Sequence, residues 1–235
     1  MRLDKYVRVA LQVSRNEGRV AIKNKKIKVN NQVITKNDYF LKEEDVVTYN
    51  DQILVYKEYI YLMMNKPKGY ICATEDNNHK VVLDLIKGYN LNDLIIVGRL
   101  DIDTEGLLLI TNDGKLCHEL TSPKKDCPKE YYVETDNEFS NEAVEIFKEG
   151  TIIYETIDKP YKCKSAILKI SKENKCNANI IISEGKYHQV KKMCKSVGNT
   201  VNYLKRVKVN KLQLDPKLKP GEYRELSEDE VELLK

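Results

Sequence analysis

The sequence predicts an α+β protein: a small N-terminal α/β module, then a larger domain built on a mixed, mostly antiparallel sheet. Three observations support this. Past residue 60, apolar runs of strand length are many, and few helical periodicities lie between them to act as parallel crossovers. Before that point, two helical periodicities follow one another and lead into a hairpin pattern. At 235 residues and 41% hydrophobic, the chain can bury a substantial core in one or two domains.

Leu3, Tyr6, Val7, Ala10 and Leu11 recur at helical spacing, which predicts an amphipathic helix over 2–13. Ser14 with Glu17 forms a capping-box start for a second helix over 14–24, with Arg15, Arg19 and Lys23 four apart on its exposed face. Ile27, Val29, the Asn30-Asn31 pair and Val33 read as a hairpin, and Asn31 is expected to take a positive φ. The expected organisation is a module over 1–56, a linker over 57–60 and a second domain over 61–235. In that domain strands are expected at 60–64, 94–97, 107–111, 130–135, 152–154, 166–170, 179–183, 201–208 and 211–214. Helices are expected at 80–87, 115–121, 140–149, 187–197 and 227–234. Ser140 caps the third of these and Gly150 ends it, and Ser227 with Glu230 is a second capping box.

The net charge of +4 is unevenly spread. Residues 1–28 hold nine Lys and Arg against two acids, and residues 186–211 hold eight against none, so the rest of the chain carries −11. Two basic patches on an acidic background point to a polyanion partner. No apolar run is long enough to span a bilayer, and Met1–Lys5 lacks the apolar core of a signal peptide, so a cytoplasmic protein is expected. The six cysteines, at 72, 117, 127, 163, 176 and 194, are scattered without CxxC spacing; reduced thiols are expected and no metal site. Without a GxGxxG, P-loop or HExxH pattern, no cofactor is expected, and nothing calls for more than a monomer.

Residues 98–106 read GRLDIDTEG between two apolar runs, so a short polar loop is held by two buried strands. Asp101, Asp103 and Glu105 alternate and, if extended, share one face, which also fits a solvated acidic loop, a metal site or a carboxylate-dependent hydrolase. Arg99 can contact phosphate or stand in for an extruded base, and a nearby cation keeps a carboxylate ionised, as a nucleophile requires. Residues 183–193 read SEGKYHQVKKM. Val190, Met193, Cys194 and Val197 form the buried stripe of a helix that Gly198 ends; His188, Lys191 and Lys195 share another face, which spacing alone also explains as solvated surface.

Five separated motifs occur in order: Lys66-Pro67-Lys68-Gly69-Tyr70, GRLD at 98–101, TEGLLLITNDG at 104–114, Lys129-Glu130-Tyr131 and GKYHQVKKM at 185–193. Together they resemble the RsuA-type pseudouridine synthases, which modify ribosomal RNA. Met1–Lys5 and Ser14-Arg15 resemble the start of an S-four-type RNA-binding domain. The resemblance implies a pseudouridine synthase fold, and NKPKGYICATED at 65–76 is most similar to members acting on small-subunit (16S) rRNA. Where the family has Gly-Gly, this chain has Asn210-Lys211. By resemblance, Asp101 is the aspartate that attacks the uridine nucleotide, Tyr131 stacks on the base and assists the final proton transfer, and Lys191 pairs with the aspartate. Arg99 would fill the gap left by the flipped nucleotide, with His188 and Gln189 beside it. RNA contacts are expected at Arg2, Lys5, Arg15, Arg19, Lys23 and Lys66. Alternatives are a synthase acting on 23S rRNA and a non-catalytic rRNA-binding or ribosome-assembly protein.

Overall fold

The structure, a computed structural model, describes residues 1–156 and 159–235. The chain divides into two compact units, one of Met1–Ile60 with Ile86–Leu94, the other of Tyr61–Leu85 with Ile95–Lys235. From the sequence, the segment 86–94 is expected in the second domain. The structure groups it with the first, where Asp93 accepts from the Arg8 guanidinium at 2.6 Å.

In the first unit, α1 (Leu3–Leu11) and α2 (Arg15–Lys23) precede four strands: β1 (Ile27–Val29), β2 (Gln32–Val33), β3 (Val47–Tyr49) and β4 (Gln52–Ile53). The Ser14–Glu17 capping box is present, satisfying N–H groups that the first turn of α2 would otherwise leave open. The strand order is β2-β1-β3-β4. Asn30 and Asn31 have φ of 49° and 66°, and Asn50 and Asp51 have 47° and 68°. Paired positive φ values are what a two-residue hairpin turn needs, and Asn and Asp tolerate them. Leu3, Val7, Ile22, Ile27, Val29, Leu41 and Val47 close the core.

The second unit contains β5 (Tyr61–Lys66), β6 (Tyr70–Ile71), β7 (Lys80–Val81), β8 (Ile95–Val97), β9 (Glu105–Thr111), α3 (Gly114–Thr121), β10 (Lys129–Thr135) and α4 (Asn141–Glu149). Next come β11 (Ile152–Thr156), β12 (Lys159–Lys162), β13 (Ile167–Ile170), β14 (Asn177–Ile182), α5 (Gln189–Ser196), β15 (Val201–Val209), β16 (Leu212–Gln213), β17 (Tyr223–Glu225) and α6 (Glu228–Glu232). Among the described residues, nine strands form the main sheet in the order β13-β14-β10-β15-β9-β5-β17, with β16 on β15 and β8 on β9. Pairing is antiparallel except where β15 meets β9, with Lys205 beside Glu105 and Arg206 beside Gly106. Gly106 has φ of +106°, and a Cβ there would lie 2.2 Å from the Arg206 carbonyl oxygen, so only glycine fits this seam. Val133, Phe147, Ile180, Met193 and Leu204 pack in one core cluster, and Met63, Leu107, Leu109, Leu116 and Val209 in another.

The helix expected over 80–87 is instead β7 followed by a 3-10 turn at Val82–Leu85. Lys80 and Val81 pair in parallel with Tyr70 and Ile71, and the β-branched Val81 suits that extended pairing better than a helix.

Candidate active site

Three separate chain segments meet at one end of the main sheet. The first is the loop entering β9. It is a turn, not an extended strand: the Thr104 N–H donates to the Asp101 carbonyl at 3.1 Å. The three carboxylates therefore do not share a face. Glu105 lies on β9 and accepts from the Tyr203 hydroxyl at 2.7 Å, and burial together with that carboxylate raises the Tyr203 pKa. Asp101 and Asp103 project toward the second segment, α5 and its entry loop. The Lys191 Nζ lies 3.1 Å from Asp101 Oδ2 and 2.6 Å from Asp103 Oδ1, and His188 Nε2 is 3.6 Å from Asp101 Oδ1. Burial alone would lower the Lys191 pKa, but hydrogen bonds to Asp103 and Asp101 outweigh it and raise the value. Burial would raise the Asp103 pKa, and Lys191 reverses this and lowers it.

The third segment is β10, which supplies Tyr131, 8% exposed. Tyr131, Asp101, Lys191 and His188 line one cleft of about 770 Å³, and the exposed Arg99 lines it too. His188 precedes α5 with φ of 53°, a left-handed conformation uncommon for a non-glycine residue, and its ring stacks on Tyr187 at 3.8 Å between centroids. A carboxylate held by an ammonium at the mouth of a cleft with an aromatic wall suits attack on a nucleotide whose base stacks on that wall.

A family model described as RNA pseudouridylate synthase matches residues 60–196, and one described as the S4 domain matches residues 1–47. The chain belongs to the RNA pseudouridylate synthase family. It is 48% identical over 182 residues to an uncharacterized RNA pseudouridine synthase of Bacillus subtilis, covering 76% of this chain and 74% of that one. It is 40% identical to an uncharacterized RNA pseudouridine synthase of Aquifex aeolicus, over 100% and 96% of the two chains. It is also 40% identical to the Escherichia coli ribosomal small subunit pseudouridine synthase A, over 73% and 72%. A crystal structure of a pseudouridylate synthase superposes with a TM-score of 0.70 at 34% identity, covering 100% of this chain and 99% of that one.

Two residues expected to touch RNA have their polar side-chain groups engaged within the protein. Lys66 is fully buried, and its ammonium donates to the carbonyls of Pro67, Asp101 and Thr104 at 3.1, 3.0 and 2.9 Å. It braces the Asp101 turn from beneath, and desolvation lowers its pKa. Gln189 is 3% exposed; it donates to Glu184 at 2.7 Å and accepts from the Lys186 N–H at 2.8 Å, closing the loop before α5. Both are polar groups with internal partners, as burial requires.

In the S4 unit, Arg2, Lys5, Arg15 and Arg19 line a cavity of about 360 Å³ together with Asp4 and Arg8, while Lys23 is exposed one turn beyond Arg19 on α2. Asp4 binds Arg2 at 2.9 Å and lies 3.7 Å from Arg19, so part of the basic charge is internally balanced. The cleft of the second unit also contains residues beyond those expected from the sequence. Tyr187 is 71% exposed beside His188, and Lys129 and Arg206 line the cleft near Tyr131. Lys129 stands two positions before Tyr131 on one strand, so the alternation of β10 places both on one face. Arg206 lies far along the chain on β15, although it pairs with Tyr131 across the sheet, and no local pattern marks it.

Proposed function

We propose that this pseudouridine synthase isomerises a uridine in small-subunit ribosomal RNA with Asp101 as its nucleophile. The observation that carries this reading is the Asp101 carboxylate at 3.1 Å from Lys191, opening on the cleft that Tyr131 lines. A uridine stacked in RNA is out of reach, so it is extruded at a cost of a few kcal/mol. Arg99 occupies the vacated place, and the base lies over the Tyr131 ring, which contributes about 1–3 kcal/mol of stacking. The bond between C1′ and N1 breaks while Asp101 attends the nucleotide, the uracil turns, and C5 bonds to C1′. C5 gives up its proton with the help of Tyr131, and N1 gains one, so the reaction is a net isomerisation. Arg2, Lys5, Arg15 and Arg19 in the S4 unit, with Lys23 nearby, hold backbone phosphates. The small-subunit assignment is supported by the name of the 40% identical Escherichia coli relative.

Pseudouridine mapping by carbodiimide primer extension, across ribosomal RNA made with and without the protein, tests this. A new stop in small-subunit RNA is expected, and a stop confined to large-subunit RNA would overturn the assignment. Asp101→Asn should fold and bind RNA but leave no stop; a normal stop from it removes Asp101 as nucleophile.

A further inference from the structure

The floor of the cleft holds two cations that the reaction as described does not use. Arg206 is 2% exposed, and its Nε donates to the Leu107 carbonyl at 2.7 Å. Its terminal nitrogens have no protein acceptor among the described residues, yet Arg206 lines the cleft. Those nitrogens are not sealed in the interior, so they open on the cleft with donors free for an acceptor that enters it. Lys129 lines the same wall, with its ammonium donating to the Cys127 carbonyl at 3.0 Å. Burial lowers the Lys129 pKa, Cys127 opposes this and the neighbouring Arg206 adds to it, and no carboxylate is among the groups acting on Lys129. Both cations flank Tyr131. Arg206 is its partner across the β10–β15 ladder, and Lys129 is two residues away on its own strand.

We propose that Arg206, assisted by Lys129, is a catalytic residue that donates hydrogen bonds to a uracil carbonyl oxygen and stabilises the negative charge as the base leaves the sugar. This rests on the reading of Asp101 and Tyr131 above. When the C1′–N1 bond breaks, its electron pair moves onto uracil and spreads over the ring carbonyl oxygens. The Asp101 carboxylate bonds to C1′ as N1 leaves, C5 then bonds to C1′ and displaces the carboxylate, the C5 proton departs and N1 takes one up. A base stacked on Tyr131 turns an edge toward the two cations, and fixed donors in a dry site act most strongly where charge develops. A backbone phosphate fits less well, because the base enters a flipped-nucleotide pocket ahead of its phosphates.

Single-turnover assays on a transcript spanning the mapped target, carrying uridine or 5-fluorouridine, test the proposal. After digestion, loss of the parent nucleoside reports cleavage from the sugar. Fluorine withdraws electrons and stabilises the same anion without the protein's help. Arg206→Gln is expected to slow the uridine reaction about 100-fold at saturating RNA. The loss should shrink about tenfold or more on 5-fluorouridine, and Arg206→Lys should recover part of the rate. Equal losses on both substrates would make Arg206 a structural residue. A loss seen only at subsaturating RNA would make it a phosphate contact. If Arg206→Gln does not fold, Lys129→Met decides on the same ratio of losses. A wild-type protein that makes no pseudouridine, or an active Asp101→Asn, counts against the Asp101 reading instead, so the two failures are separable.

Discussion

Lys66 shows how one buried side chain can organise a site it never enters. Its ammonium joins the carbonyls at both ends of the Asp101 turn. Lys66→Met leaves those oxygens without their donor and is expected to destabilise the protein by roughly 2–3 kcal/mol. Activity should fall by about tenfold or more, because small displacements of a reacting group are costly. Thermal melts and single-turnover rates check this. Burial lowers the Lys66 pKa below the ordinary 10.5, so the folded chain gives up this proton before the unfolded chain does. Between the two values the unfolded state binds more protons, and stability rises with pH. Wild type should therefore gain on Lys66→Met as pH rises toward that ordinary value, and a constant difference in melting temperature would contradict this. The sequence conceals this role because the Asp101 and Thr104 carbonyls lie 35 and 38 residues away. Gln189 is different: its partner Glu184 is only five residues away in the same motif, and its amide is spent on that contact.

At the scale of elements, local signals were legible and long-range pairings were not. The capping boxes at Ser14 and Ser227, the Asn30-Asn31 turn and the apolar run of β9 all depend on neighbours within a few residues. Tyr223–Glu225 is a strand only because it pairs with Leu62–Met64, and the run at 80–87 gave way to pairing with Tyr70 and Ile71. Ser14→Ala should cost about 1 kcal/mol, seen as a lower melting temperature. Gly106→Ala should cost more, roughly 3 kcal/mol, because it combines an unfavourable φ with a clash against the β15 backbone. Its activity should fall with its stability, since that seam sets β15 beside the strand that follows Asp101. A Gly106→Ala protein with unchanged melting temperature would mean that the seam yields easily.

At the scale of the whole molecule, the uneven charge visible in the sequence corresponds to real surfaces, among them the cavity of Arg2, Lys5, Arg15 and Arg19. Lys5→Ala with Arg15→Ala should weaken RNA binding and make the dependence of log affinity on log salt shallower, by about 0.7–0.9 for each phosphate no longer neutralised. The melting temperature should hold, as both side chains are exposed. An unchanged slope would place RNA elsewhere on the molecule. The three segments that form the cleft were each legible as motifs, but their convergence was not, because it depends on the parallel meeting of β9 and β15. Lys66 grips the main chain of residue 101 and leaves the carboxylate alone. The main chain at both ends of the loop therefore keeps its anchor whatever side chain 101 carries. An inert copy keeps the outline of the working one and becomes a decoy that seizes its transcript and leaves it unaltered, a bait for fishing native targets out of a cell extract.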